Sequence, residues 1–183
     1  MRIISILLLC TLLVLVSCKD KDRFAAKIKT LDSLHTELDK KTAVFLSIDS
    51  QKINSYLKKQ QHNIKLLSDS LKDTLSVNYF VTLTQYKKCE APLQFLNENY
   101  KSILNESLLS KEQLKKLSTD LKNDAMDDEF VYEYFIIEKM EAEKMSESLS
   151  ANYILAKQTT DTFQKYNEKI EQLINAIQNK NPY

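Results

Sequence analysis

Not one of the 183 residues is glycine, and only two are proline. Glycine lets the backbone take positive φ and approach a ligand closely. Without it, a phosphate-binding loop, a dinucleotide fingerprint and a nucleophile elbow lack their usual form. Tight two-residue hairpins also lose their preferred residue. A sheet-rich or doubly wound fold is therefore disfavoured, and a few long helices joined by few turns are favoured.

The apolar pattern points the same way. Val131, Phe135, Glu138, Ala142, Met145, Leu149, Asn152, Ala156, Thr159, Phe163, Tyr166, Ile170, Leu173 and Ile177 alternate by four and three. That spacing is a sustained coiled-coil seam. The small and polar members, Ala142, Asn152 and Thr159, read as packing and register devices. An earlier stripe runs through Phe24, Ile28, Leu31, Leu38 and Phe45, with His35 and Thr42 on the same face. It continues through Asp49, Ile53, Tyr56, Ile64, Leu67, Leu71 and Leu75. The step 45, 49, 53 is a stutter, which unwinds a coiled coil locally. No glycine or proline breaks the segment, so one long helix from about residue 21 is expected, with Asp49 as the cap of a second helix in the alternative.

Residues 76–78 read as a turn. Residues 77–83 are rich in β-formers but have no partner strand, and are assigned to helix. Pro92 predicts a kink near residues 88–92, or a helix restarting with the proline in its first turn. Ser110-Lys111-Glu112-Gln113 has the form of a capping box and predicts a short new helix carrying Leu114, Leu117 and Leu121. The acid-rich stretch 123–128 reads as a connection leading into the last helix, whose positive end favours acids. It lacks the spacing and glycine of a calcium loop.

The N-terminus carries an address. After Met1-Arg2, residues 3–16 are apolar apart from Ser5, Cys10 and Thr11. The run is shorter than the ~20 residues that span a bilayer and has the size of a secretory apolar region. It ends in Leu15-Val16-Ser17-Cys18, followed at once by Lys19-Asp20-Lys21-Asp22. This resembles the lipobox of bacterial lipoproteins. The resemblance implies that residues 1–17 are removed and that the Cys18 sulfur takes a diacylglycerol, with its freed amine acylated as well. Two or three chains give stable anchoring, since each buried CH₂ contributes ~0.8 kcal/mol. Cys10 follows the bulky Leu9 and reads as an apolar filler. The charged tag after Cys18 is similar to the export signal of surface lipoproteins of Bacteroidota type, with a solvated tether as the alternative. Lys19 stands where an inner-membrane retention signal has Asp. These likenesses imply an outer-membrane lipoprotein on the periplasmic or the surface side. They cover only the first ~22 residues, and the body matches no family by its motifs.

Lys plus Arg total 26 and Asp plus Glu total 25. Cleavage before Cys18 would remove one base and no acid, leaving a neutral body with interspersed charges. A nucleic-acid binder needs a basic excess, so nucleic acid is not expected as a partner. Cys89 would be the only remaining thiol, which excludes an internal disulfide; it reads as a partly buried helix residue. His35 and His62 are the only histidines. Asp32 and His35 share a helical face, but the paired Glu-x-x-His of a di-metal bundle is absent. Glu138, Glu141 and Glu143 are interleaved with Lys139 and Lys144, as on a solvated face. No metal, cofactor or catalytic residue is assigned, and an enzyme is not expected. Asp32-Ser33-Leu34, Asp69-Ser70-Leu71 and Asp73-Thr74-Leu75 resemble the O-glycosylation acceptor motif of the same bacterial group, which would modify Ser33, Ser70 and Thr74. The alternative is an amphipathic helix whose leucines face the core.

The expected fold is all-α: an elongated, antiparallel, coiled-coil-like bundle of three helical rods, with a four-helix bundle folding back at Asp49 as the alternative. Residues 1–17 would be the signal peptide, 18–23 the lipidated tether and 24–179 the bundle. The expected function is an interaction or scaffold module of the bacterial envelope, held to the membrane by its N-terminal lipid and working with an envelope protein. The alternatives are a bundle holding an apolar small ligand, motivated by Tyr79 to Tyr100 and Tyr132 to Tyr153, and an accessory subunit on the periplasmic side. In the three-rod form Asp127 lies at the tethered end. The far tip, from residues 71–80 and 170–183, is then the first place to look for a partner.

Overall fold

The computed structural model describes residues 23–70 and 77–180. Among them are five helices and no strand: α1 Ala25–Leu46, α2 Ser50–Ser70, α3 Val77–Lys87, α4 Glu90–Lys122 and α5 Asp128–Lys180. They form three rods. Rod one is α1 followed by α2, rod two is α3 followed by α4, and rod three is α5 alone. At ~1.5 Å per residue, the 53 residues of α5 span about 80 Å.

Rod one does not fold back at Asp49. Its cross-links to α5 keep a nearly constant offset along the whole length. Arg23 meets Asp128, Glu37 meets Ser146, Tyr56 meets Gln164, and Asn63 meets Asn167. The sequence separations of these pairs are 105, 109, 108 and 104. A constant difference means two segments running parallel and in register. A hairpin at residue 49 would reverse the order beyond it. The α1 pairs with α4 run the other way: Asp32 with Ser118, Asp39 with Lys111, and Thr42 with Ser107. Rod two is therefore antiparallel to both neighbours.

Rod one is not a single helix, however. The expected continuous helix is interrupted at residues 47–49. Ser47 ends α1, with its hydroxyl donating to the Val44 carbonyl at 2.6 Å. Asp49 then opens α2, its carboxylate accepting from the Lys52 amide at 3.0 Å. The stutter explains the break: two successive steps of four turn the stripe off its line, and a short non-helical link resets it. The core divides at the same level. One cluster holds Leu31, Leu38, Phe45, Leu114, Leu121, Val131 and Leu149; the other holds Ile53, Leu67, Tyr86, Leu93, Phe163 and Ile170. Ile48, inside the link, packs against both.

In rod two, α3 is helical as expected for residues 77–83, and Pro92 sits in the first turn of α4. There its missing N–H removes no intrahelical bond. The expected helix start at Ser110 is overturned. Ser110 lies inside the unbroken α4 and is buried. The seam of α4 runs Leu93, Leu96, Tyr100, Ile103, Ser107, Ser110, Leu114, Leu117 and Leu121, an uninterrupted alternation of three and four. Burial of that seam decides the matter over a local capping preference worth about 1 kcal/mol. The Ser110 hydroxyl finds no hydrogen-bond partner among the described residues as a result.

Residues 123–127 turn the chain from α4 into α5. The Ala125 amide reaches back to the Asp120 carbonyl at 2.9 Å and the Asp124 amide to the Leu121 carbonyl at 3.3 Å. This is a Schellman cap. Asp124 takes the left-handed position, at φ 53°, where glycine is usual. Asp128 and Glu129 then lie in the first turn of α5, at its positive end. In α5 itself, every one of the fourteen seam positions from Val131 to Ile177 is buried or half-buried.

Candidate functional site

Cys18, the expected lipid attachment point, and Thr74 lie outside the described residues, as does the signal sequence. Ser70 closes α2. Ser33 is exposed on α1, and the following Leu34 packs against the core. A hydroxyl open to solvent is compatible with modification there. The preceding Asp32 carboxylate is engaged, accepting from the Ser118 hydroxyl at 2.6 Å and from Lys122 at 2.9 Å.

The densest polar cluster surrounds this pair. His35 Nδ1 lies 3.4 Å from Asp39, and Asp39 accepts from Lys111 at 2.8 Å. The Ser118 hydroxyl is directed to a carboxylate rather than to an imidazole, so no activated nucleophile is assembled. The hydrogen bond from Ser118, with Lys122, holds the Asp32 carboxyl below its ordinary range. Ser146 and Lys41 do the same for Glu37, and Lys111 for Asp39. These contacts stitch α1 to α4 on one side and to α5 on the other. They set register between the rods. Among the described residues no group of three or more His, Cys, Asp or Glu is placed to hold a metal ion.

The half of the bundle built from α2, α3 and the end of α5 has its own polar layer. Tyr86 of α3 donates to Asn167 of α5 at 2.9 Å and accepts from Asn63 of α2 at 3.1 Å, one residue from each rod. Burial pushes the Tyr86 phenol pKa far above its ordinary value. The Tyr86 ring is stacked with Phe163 at 5.4 Å between centroids, and Phe163 with Tyr56 at 4.2 Å. Gln60 is fully buried on α2, and neither amide atom finds a partner among the described residues. Cys89, between α3 and α4, is buried, and desolvation raises its thiol pKa, which keeps it in the unreactive form.

The tyrosines that suggested a ligand pocket have mixed fates. Tyr86 fills the core, and Tyr100 is stacked on Phe45 at 5.0 Å. Tyr153 lines a shallow apolar groove of about 250 Å³ between α1 and α5, with Val44, Leu149 and Ile154. Tyr79, Tyr132 and Tyr134 face solvent. Two exposed apolar groups stand at the ends of the rods. Tyr79, Phe80 and Val81 lie at the start of α3; Phe130, Tyr132, Tyr134, Ile137 and Met140 lie within the first thirteen residues of α5.

Arg23 fixes which end of the bundle the second group occupies. Its guanidinium bonds Asp124 at 2.8 Å and Asp128 at 2.9 Å. The first described residue of rod one thus sits against the α4–α5 turn. No protein-family model, curated protein or solved structure matches the chain. No described helix is long and apolar enough to cross a membrane.

The α5 group escaped sequence reasoning because the seam absorbed the apolar signal. It was legible as a remainder. Phe130, Tyr134 and Ile137 each stand one residue before a seam position, or one before its half-buried Glu138, and so fall outside the buried stripe.

Proposed function

We propose that the protein is an outer-membrane lipoprotein anchored through Cys18, whose helical rod is an interaction module for another envelope protein. The supporting observation is the ion pair between Arg23 and the α4–α5 turn. Arg23 follows Cys18 by five residues, a reach of at most ~18 Å. An anchor there holds the bundle by one end. The tip group of Tyr79, Phe80 and Val81 is then carried at the opposite end of a rod about 80 Å long. Such a body has the form of a spacer or scaffold, and the polar clusters in it set register.

Two measurements test this reading. Metabolic labelling with a fatty-acid probe should mark the wild type and Cys10→Ala but not Cys18→Ala; equal labelling of the Cys18 variant rejects the anchor. A photo-crosslinker replacing Phe80 should capture one envelope protein reproducibly, and a crosslinker at Phe95, part-way along the rod, should not. Failure of both positions to give a discrete adduct in intact cells rejects the scaffold role. Native mass spectrometry of the delipidated protein addresses the rival role of apolar-ligand carrier, which the groove beside Tyr153 favours: added mass supports it.

A further inference from the structure

Of the exposed apolar side chains among the described residues, the largest concentration is at one end of α5. Phe130, Tyr134 and Ile137 follow one another at four and three residues, and Met140 adds a further step of three. They form one face, about 15 Å long, at roughly half exposure each. The neighbouring rings Phe24 and Phe135 are treated differently. Arg23 lies 4.3 Å over Phe24, and Lys27 lies over Phe135 at 5.8 Å. Those two rings are also half-buried against the core. Among the described residues no cation lies over the rings of the α5 face.

We infer that this face of Phe130, Tyr134, Ile137 and Met140 rests on the lipid surface that holds the anchor, with its aromatic rings at headgroup level. The inference rests on the proposed anchor at Cys18. Three observations select a lipid surface over other occupants. The first is position. Arg23, five residues from Cys18, is bonded to Asp128, two residues before the face begins. The face therefore starts within tether length of the acyl chains. The second is size. Four half-exposed side chains offer on the order of 400 Å², against ~800 Å² per partner in a stable interface. The stripe also spans under two heptads, short of the three or four that a coiled-coil partner requires. A second copy would be poorly held, whereas a surface already tethered needs little added area. The third is charge. Arg23, Lys27 and Lys122 at this end are outnumbered by Asp124, Asp127, Asp128, Glu129 and Glu133. With no basic excess, attraction to anionic lipid is weak, and the aromatic rings carry the contact. The surface it fits is zwitterionic.

The geometry has a consequence for orientation. The headgroup layer is ~5–8 Å deep on each side of the bilayer. A rod standing upright would immerse only the first turn of α5. Contact along the full face lays the near end at a shallow angle, so the tip travels over the membrane and meets partners attached to the same surface.

The chain contains no tryptophan, so Tyr134→Trp gives a single indole in the centre of the face. The full-length protein is taken from membranes in its acylated form and reconstituted in phosphatidylethanolamine–phosphatidylcholine vesicles carrying a headgroup-region quencher lipid. Tyr134→Trp should show blue-shifted emission and about twofold quenching, as for an interfacial indole. Phe95→Trp, on exposed α4 surface about 40 Å away along the helix, should show neither. Adding Ile137→Asp to Tyr134→Trp, at a position already half in water, should relieve the quenching. Equal emission from the two tryptophans overturns the inference. A blue shift without quenching, together with a crosslinked dimer, assigns the face to a second copy and also overturns it. Fatty-acid labelling of Cys18 is scored separately. Labelling without quenching rejects the lipid-facing surface alone, and quenching without labelling rejects the anchor alone.

Discussion

The guanidinium of Arg23 grips Asp128 through two bonds, at 2.9 and 2.6 Å, across 105 residues of sequence. Because Arg23 begins rod one and Asp128 begins rod three, the pair defines one end of the molecule and starts the parallel register of the two. The exposed pair itself stabilises by little. Its value is geometric, since a nearly equal offset recurs at Glu37–Ser146 and Tyr56–Gln164. A continuous rod is the only course of α1 and α2 that satisfies all three.

That course is measurable. Labels at Lys29 and Asp69, both exposed and equally far from Asp49, are separated by 40 residues, or about 60 Å along the rod. A spin–spin distance near 60 Å is expected. A hairpin at Asp49 would bring the two labels to ~15 Å, little more than one helix-to-helix spacing.

The part of this architecture that was legible in the sequence is the part written in apolar spacing. The α5 seam needed no correction, because mostly apolar side chains recur there at three and four over fourteen positions, with only Glu138, Asn152 and Thr159 polar. The α4 seam was misread because serines fill Ser107 and Ser110, and a serine at a buried seam position looks the same in sequence as a serine at a cap. At the stutter around Asp49 the absence of glycine and proline favoured one unbroken helix; the cap won instead, while the direction of the rod did not change. The cross-rod pairs of Asp32, Glu37 and Asp39 were invisible, since any of many surface acids could meet any of many lysines and serines. Asp124 hid the Schellman turn, because the usual marker of that turn is a glycine the chain does not have.

Asp124 gives a backbone test. Asp124→Ala and Asp124→Gly both remove the carboxylate that meets Arg23, so their difference isolates the left-handed conformation. Alanine should be less stable than glycine by about 1 kcal/mol, the cost of a Cβ in that region. Urea unfolding of the two variants gives the comparison. Equal midpoints would mean that the turn relaxes.

Two buried amides three residues apart, Gln60 and Asn63, should respond in opposite senses. Asn63 is satisfied by Tyr86 and Asn167, whereas Gln60 is fully enclosed and unpaired among the described residues. Gln60→Met keeps the length of the side chain and relieves a desolvation penalty, and should stabilise by roughly 1–2 kcal/mol. Asn63→Leu leaves the Tyr86–Asn167 pair short of a partner in the core and should destabilise by roughly 1–3 kcal/mol. Thermal unfolding of both decides whether the polar layer at residue 63 is structural. If Gln60→Met instead lowers stability, the amide is serving register, as a lone polar seam residue can.

Acid should loosen the near half through α1. Asp32, Glu37 and Asp39 lie on that one helix, and each is held below its ordinary value. The leading causes are the hydrogen bond from Ser118, that from Ser146 and that from Lys111 respectively. In the unfolded chain the three titrate near 3.8, 4.5 and 3.8. A depressed folded pKa means that the unfolded state takes up the proton first. Their contribution is therefore complete above about pH 5 and is lost as pH falls through 4.5 and on towards the folded values. Glu138 opposes the trend. Burial, with Glu141 beside it, raises its pKa, so it contributes more as pH falls and its carboxyl becomes neutral. Three groups against one leave a net loss in acid. The unfolding midpoint of the wild type should fall between pH 5 and 3, and high salt should shrink the fall because all three carboxylates are solvent-screened. Replacing Asp32 and Asp39 by Asn and Glu37 by Gln should flatten the curve in that window at the cost of some stability at pH 7. Glu138→Gln should do the reverse at neutral pH, raising the midpoint there and leaving the acid limb in place. An acid limb of unchanged slope in the triple variant would show that the register contacts of α1 do not govern the near half.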